Sequence, residues 1–284
     1  MTITELQSLA GEFVENPVYG FVSAQDAIRP DIAGLKLFSR PLIGVAAPDN
    51  EYYQSIADSD AANIALAPPE FWLSGAKTVI SFFFPFDERL RKSNRIGGKP
   101  SLEWMHGRVQ GQKFLEAFAG LLSATITESG GETVIPQLDA RFWQNIQPRH
   151  AGPDGSARRQ FSTNWSERHV AFGAGLGTFG LAGNLITEKG TAGRLLSAVT
   201  TLELDDALPV RFLSNLPGLY DNCTLCGVCV RRCPAGAIGE IGKKDIPKCF
   251  AFMGEIRKEY PALHGCGICQ VKIPCEMANP ARRT

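Results

Sequence analysis

The chain has 284 residues, with 29 lysines and arginines against 29 aspartates and glutamates, 44% hydrophobic and 20% charged. This composition excludes collagenous, coiled-coil and largely disordered classes, and a formal charge of zero gives no general pull toward nucleic acid or anionic lipid. No apolar run approaches the roughly 18 residues of a membrane span, and the opening MTITELQSLAGEF lacks a basic region, an apolar stretch and a twin arginine, which predicts a cytoplasmic protein.

Ile3, Leu6, Leu9 and Phe13 recur at helical spacing and predict a helix over residues 3–15. Lys77-Thr-Val-Ile-Ser-Phe-Phe-Phe-Pro-Phe86 is short, apolar and β-prone, and predicts a buried strand ending near Pro85. Residues 103–129 predict a long helix with an apolar stripe of Phe114, Phe118, Leu121, Leu122 and Ile126, stopped by Gly130-Gly131. Those phenylalanines read as core. Residues 140–169 then concentrate Arg141, Arg149, Arg158, Arg159, Arg168, His150 and His169 among Phe142, Trp143, Phe161 and Trp165, opposed only by Asp154 and Glu167. Arginine beside aromatics suits an anionic, flat ligand, and an exposed basic loop accounts for it equally well. Stacked single-stranded nucleic acid is the weaker option for a chain of neutral total charge.

A second helix is expected from Asn164, where Asn164-x-x-Glu167 has the form of a capping box, to a stop at Gly175. Gly175-Leu-Gly177-Thr-Phe-Gly180 matches GxGxxG, but a helix precedes it and a strand follows, the reverse of a dinucleotide-binding turn. It reads as a helix stop and a turn, with close backbone approach to some other large cofactor left open. Leu185-Ile-Thr-Glu188 and Arg194 to Leu204 predict two strands joined through Lys189-Gly190. Strands and helices interspersed without βαβ repeats predict an α+β architecture.

All eight cysteines lie between Cys223 and Cys275. Cys223-x2-Cys226-x2-Cys229-x3-Cys233-Pro234 has the spacing of bacterial-type ferredoxins, in which three thiolates hold one [4Fe–4S] cluster and the fourth serves its neighbour. Cys249, Cys266, Cys269 and Cys275 form a stretched second copy. The crossing pattern assigns Cys223, Cys226, Cys229 and Cys275 to one cluster and Cys233, Cys249, Cys266 and Cys269 to the other, with Cys249 and Cys275 able to exchange places. Two structural zinc sites are the alternative, but three cysteines at consecutive two-residue gaps crowd a tetrahedral ion. Residues 221–284 carry ten Lys/Arg against six Asp/Glu, so Arg231, Arg232, Lys243, Lys244 and Lys248 surround the cysteines with positive charge. That charge would ease cluster reduction, or simply mark a solvated face.

With these residues in hand, the chain resembles the epoxyqueuosine reductase and reductive dehalogenase group. Trp72-Leu-Ser-Gly75-Ala-Lys77-Thr-Val-Ile-Ser81 looks like that group's W-L-P-G-A-K-S-V-I-S segment. Ala174-Gly-Leu-Gly177, Leu185-Ile-Thr187 before Arg194, and the C-P-A-G-A-I run ending at Ile238 complete the likeness. The resemblance implies a nitroreductase-like domain over residues 1–215 and a two-cluster ferredoxin domain over 216–284. It implies electron relay to a corrinoid, with flavin mononucleotide as the alternative, for reduction of a small or nucleoside-like substrate. An external low-potential donor such as a ferredoxin or flavodoxin would supply the electrons.

Two departures bear on the chemistry. The group's D-S-A-P proton-donor stretch is replaced by Phe161-Ser-Thr-Asn-Trp165, and the dehalogenase tyrosine has no match. The chain ends nine residues after Cys275, which reads as a member without C-terminal helical repeats. Asp139, His169 and Tyr220 are then the candidate proton donors by residue type, and Arg168 the candidate for ligand charge. Gly175, Gly177, Leu185, Ile186 and Thr187 are the candidate cofactor contacts. A rival expectation is an electron-transfer or binding protein with no catalysis of its own.

Overall fold

The structure is a computed structural model that describes residues 1–57, 65–146, 161–239 and 244–282. Its first helix, α1 (Ile3–Phe13), opens on a true capping box: the Glu5 amide donates to the Thr2 hydroxyl, and the Thr2 amide donates back to the Glu5 carboxylate. Strand β1 (Leu42–Ala46), helix α2 (Glu51–Ala57) and the single turn α3 (Pro69–Trp72) lead to β2 (Thr78–Pro85). Asp87 and Ser101 cap α4 (Glu88–Ser93) and the long α5 (Leu102–Glu128). Strands β3 (Thr133–Val134), β4 (Gln144–Ile146) and β5 (Phe161–Thr163) precede α6 (Glu167–Gly173). After it come β6 (Gly177–Phe179), β7 (Leu185–Thr187) and β8 (Gly193–Thr200), and the cysteine-rich end adds α7 (Val228–Arg232) and α8 (Ile246–Glu259).

One antiparallel sheet, in the order β1-β2-β8-β3, organises the chain, with β4–β5 and β6–β7 as separate hairpins. Every residue of β2 is buried, and successive side chains point to opposite faces. Ile80, Phe82 and Phe84 therefore join α1 and α5 in one core, where the Phe84 ring sits 5.2 Å from both Phe114 and Phe118. Val79 and Phe83 join the other core with Trp165, Val170 and Phe172 of the α6 layer. Burial on both faces is why the strand shows a continuous apolar run instead of alternation.

Several boundaries differ from expectation for local reasons. Leu121 is 36% exposed and lies off the buried stripe of α5. The Asn164 capping box does not form. Asn164 accepts from the Trp143 amide and donates to the Arg141 carbonyl, stitching the base of the β4–β5 hairpin, so α6 starts behind Ser166. The two strands joined through Lys189-Gly190 do not pair with each other: β7 turns back on β6, while β8 enters the central sheet and ends at Thr200.

The cysteine-rich end docks on α4 and α5. Met105 packs with Ile256 and Leu263, and the Asn94 side chain donates to the Cys266 carbonyl. Glu276, 4% exposed, is gripped by Arg91 and Arg95 and accepts from the Lys272 amide. Burial pulls its carboxyl upward, but hydrogen bonds from Arg95 and Lys272 and the two arginine charges outweigh that and hold it below the usual carboxylate range. Glu276→Gln keeps the shape and loses the charge-assisted bonds. It should cost about 1–3 kcal/mol in urea unfolding, and it should raise the proteolytic sensitivity of residues 244–282 before that of the sheet. No described helix is long and apolar enough to cross a membrane.

Candidate functional site

The cysteines sit on two copies of one local turn. In Cys226-Gly-Val-Cys229 and Cys266-Gly-Ile-Cys269 the glycine takes the left-handed conformation (φ +69° and +59°) and a short helical turn follows. Such a turn swings two thiols toward one hollow while the backbone stays close. At Gly267 a Cβ would lie 2.0 Å from the Trp104 ring, so the second copy is also locked against α5. Leu225, between the first two cysteines, holds a left-handed φ of 53° without being glycine, local strain of the sort found at functional loops.

All eight thiols are free, and they fall into two groups of four. Cys223, Cys226, Cys229 and Cys275 line a cavity backed by Gly180 and Ile186. Burial first, then the neighbouring sulfurs of Cys229, Cys223 and Cys226, pushes the Cys275 thiol up to about 12. The second group shows the same pattern: burial, then Cys269, Cys249 and Cys233, pushes Cys266 up to about 12. Cys229 also feels Cys269, so the two groups adjoin. Among the described residues no three Cys, His, Asp or Glu side chains converge as a single metal ion would require. Donors aim at sulfur in both groups, among them the Ala237 amide at Cys233 (3.3 Å), the Asn184 side chain at Cys269 (3.8 Å) and the Val230 amide at Cys229. Cys226 is exposed, the others half-buried.

A larger, polar cavity of about 230 Å³ lies between the sheet, the start of α6 and the cysteine-rich end. Asn184 and Thr191 line both cavities, and Gln270, next to Cys269, lines the larger one. Phe83, Phe142 and Trp165 give it flat apolar walls, and Arg108, Arg168, Arg194 and Glu167 give it charge. Burial lowers the affinity of all three arginines for their proton, Arg108 to about 10, where Arg168 adds repulsion. Arg168 is crowded by protein yet opens to the cavity, and it faces Cys269 and Cys249. Burial pushes the Glu167 carboxyl up to about 7, against Ser197, Trp165 and the Arg194 charge, which pull it down. Its two oxygens are sealed from bulk solvent and make no well-formed hydrogen bond. An acid in that state is half protonated near neutral pH, and its residue stands in the cavity wall.

The residues nominated from sequence divide sharply. Arg168 and Leu185 line the polar cavity, and Ile186 backs the cysteine cavity. Asp139 does neither. Arg141 clamps both its oxygens at 2.8 Å and also donates to the carbonyls of Phe71 and Trp72, an anchor that holds Asp139 below the usual carboxylate range and therefore ionised. His169 is not among the lining residues of the cavity: its Nδ1 lies 2.8 Å from the Tyr52 hydroxyl, and its ring packs on Phe179. Tyr220 belongs to that same aromatic cluster, close enough to Tyr52 to raise it after burial has done so. Gly175 turns the chain at φ +74°, and at Gly177 a Cβ would lie 2.2 Å from the Ile186 carbonyl, so both glycines serve the β6–β7 packing. Thr187 donates its hydroxyl to the Gly190 carbonyl.

Glu167, Arg108 and Arg194 were not nominated from sequence. Glu167 was legible only as a capping residue, and Arg108 only as one charge on a long helix. Arg149, His150, Asp154, Arg158, Arg159 and Lys243 lie outside the described residues.

Comparison with known proteins fits this geometry. A 4Fe-4S binding domain family matches residues 219–239. The chain is 30% identical over 219 residues to an epoxyqueuosine reductase of Bacillus anthracis, covering 72% of this chain and 50% of that protein. It is 38% identical over 76 residues to an uncharacterized protein of Geobacillus stearothermophilus, covering 22% and 35%. A solved catabolic reductive dehalogenase shares the fold at 18% identity and a TM-score of 0.51, covering 85% of this chain and 31% of that one. The chain spans half or less of the length of these curated relatives.

Proposed function

We propose that this chain, a relative of the epoxyqueuosine reductase and reductive dehalogenase group with a 4Fe-4S domain near its C-terminal end, is an iron–sulfur reductase. Clusters held by its cysteines would pass electrons from an external donor toward the polar cavity. The observation that carries the reading is contiguity: Asn184 lines both cavities and donates to Cys269, so the sulfur groups abut the place where a ligand would sit. Residues 216–284 act as a two-cluster ferredoxin-like part, and residues 1–215 as a nitroreductase-like body that holds cofactor and substrate.

The residues fit such groups. Cys223, Cys226, Cys229 and Cys275 surround one hollow and would hold one [4Fe–4S] cluster; Cys233, Cys249, Cys266 and Cys269 neighbour one another and would hold the second. The flat walls and three arginines of the larger cavity fit a heterocycle that bears negative charge, a corrinoid by resemblance, with flavin mononucleotide as the second reading. Clusters of this ligation type supply single electrons at low potential, and either cofactor turns them into bond reduction.

The chain's own residues divide that chemistry between them. Cys226, the exposed thiol, would present the first group to an external low-potential donor at the surface, and the nearness of Cys229 to Cys269 would set the two groups side by side for transfer inward. Arg168 sets a positive charge between the second group and the cavity. Glu167 would hold a proton at the cavity wall and, with its carboxyl turned toward the ligand, give it to the reduced substrate; Asp139, His169 and Tyr220 are not among the residues that line the cavity.

Anaerobic purification with iron, sulfide, cobalt and flavin analysis tests the reading. The expected result is about eight irons per chain with a corrinoid or flavin spectrum after reconstitution; zinc in place of iron would overturn it. Clusters oxidised only by an added partner protein would assign a carrier instead. Asn184→Ala removes a donor to a thiolate and should lower the midpoint potential of one cluster in redox titration, leaving the other unmoved.

A further inference from the structure

Three arginines reach the polar cavity, and among the described residues two of them form no ion pair. Arg168 faces Cys249 and Cys269, whose sulfurs balance it once they ligate iron. Arg108, from α5, and Arg194, from β8, are held together: the Arg194 guanidinium donates to the Arg108 carbonyl at 2.9 Å, and it donates again to the Gln112 side chain. Among the described residues neither has a carboxylate at ion-pair distance, and the Arg108 guanidinium makes no hydrogen bond at all. Glu116 and Glu167 act on Arg194 only through space. Room for Arg108 is built in, since a Cβ at Gly265 would lie 2.6 Å from its Cγ. Both arginines are half-buried and line the cavity without an ion-pair partner, so their donors are open to an anion from outside the chain.

We propose that Arg108 and Arg194 form a phosphate subsite of this cavity, binding the phosphate of the ligand whose ring lies against Phe83, Phe142 and Trp165. The guanidinium fork matches phosphate oxygens two at a time, and the free edges of both arginines are available to it. The phosphate belongs to the cofactor or to the substrate, and binding measurements separate the two. The proposal rests on the cavity being the ligand site, as above, but not on any turnover.

The test is equilibrium binding by calorimetry on cluster-loaded protein, with iron and sulfide measured on each sample so that failure of the iron–sulfur reading is seen separately. Two pairs of probes differ by a phosphate: flavin mononucleotide against riboflavin, and cobinamide phosphate against cobinamide. The phosphate-bearing member of one pair should bind at least about 10-fold more tightly. Arg108→Gln and Arg194→Gln should abolish that preference, and Arg108→Lys should restore part of it. A preference within either pair assigns the phosphate to the cofactor. If neither pair binds, a thermal shift with inorganic phosphate that disappears in Arg108→Gln assigns it to the substrate. Equal affinity within a pair that binds, or no response to inorganic phosphate when neither pair binds, overturns the proposal. Where Arg108→Gln fails to fold, Arg108→Lys and competition by inorganic phosphate on the unaltered protein decide.

Discussion

Cys275→Ala should cost the protein about half of its iron, and Cys233→Ala should cost it the other half. The two variants separate because their sulfurs belong to different groups. Cys275 lies with Cys223, Cys226 and Cys229 around one cavity, whereas Cys233 lies with Cys249, Cys266 and Cys269. Alanine is the informative replacement, since a serine oxygen can still ligate iron. Iron analysis together with electron paramagnetic resonance of the reduced protein reads the outcome. Each variant should keep one cluster signal and lose the interaction between two. Cys249→Ala should behave as Cys266→Ala does and not as Cys275→Ala does, which decides the one exchange the spacing alone left open. If both clusters vanished in every variant, the groups would not be independent. If every variant kept its full iron, these sulfurs would not be the ligands.

What was legible in the sequence follows from how local each signal is. The cysteine motif is written in short spacings, and left-handed Gly227 and Gly267 convert those spacings directly into turns. The stripe on α5 and the apolar run of β2 were equally plain, because burial on one helical face or on both strand faces leaves a dense apolar pattern. Asn164 shows the opposite case. Its side chain has the form of a helix cap but is taken by Arg141 and Trp143, partners about twenty residues away that no local pattern announces. The surroundings of the proton-donor candidates were hidden for a related reason. Asp139 is a free acid in the sequence and a clamped one in the fold, and His169 looks outward in a list of basic residues but faces Tyr52. Glu167, Arg108 and Arg194 come from three elements that only the packed sheet brings to one cavity.

Glu167→Gln should abolish the activity of the loaded protein by roughly 10²–10⁴-fold, the usual contribution of a positioned acid, and should raise its stability in alkaline solution. Both effects come from the same burial. An exposed glutamate ionises near 4.5, whereas Glu167 keeps its proton to about 7. Between those values the folded chain binds more protons than the unfolded one, so stability falls as pH rises through that interval and levels off above it. The penalty at pH 8 is roughly 3 kcal/mol at most, less in proportion as cavity water reaches the carboxylate. Glutamine carries no charge to bury, so the variant should lack this one contribution to the pH dependence, and its unfolding free energy should exceed that of the parent protein above pH 7. Turnover of the parent should decline as pH rises through about 7, where the donor loses its proton. Urea unfolding at pH 5, 6, 7 and 8, beside the pH–rate profile, separates the roles. A Glu167 that merely holds the fold would give a variant less stable at every pH. A proton donor gives one that is more stable and inactive, and the charge that weakens the folded state is then the one the reaction uses.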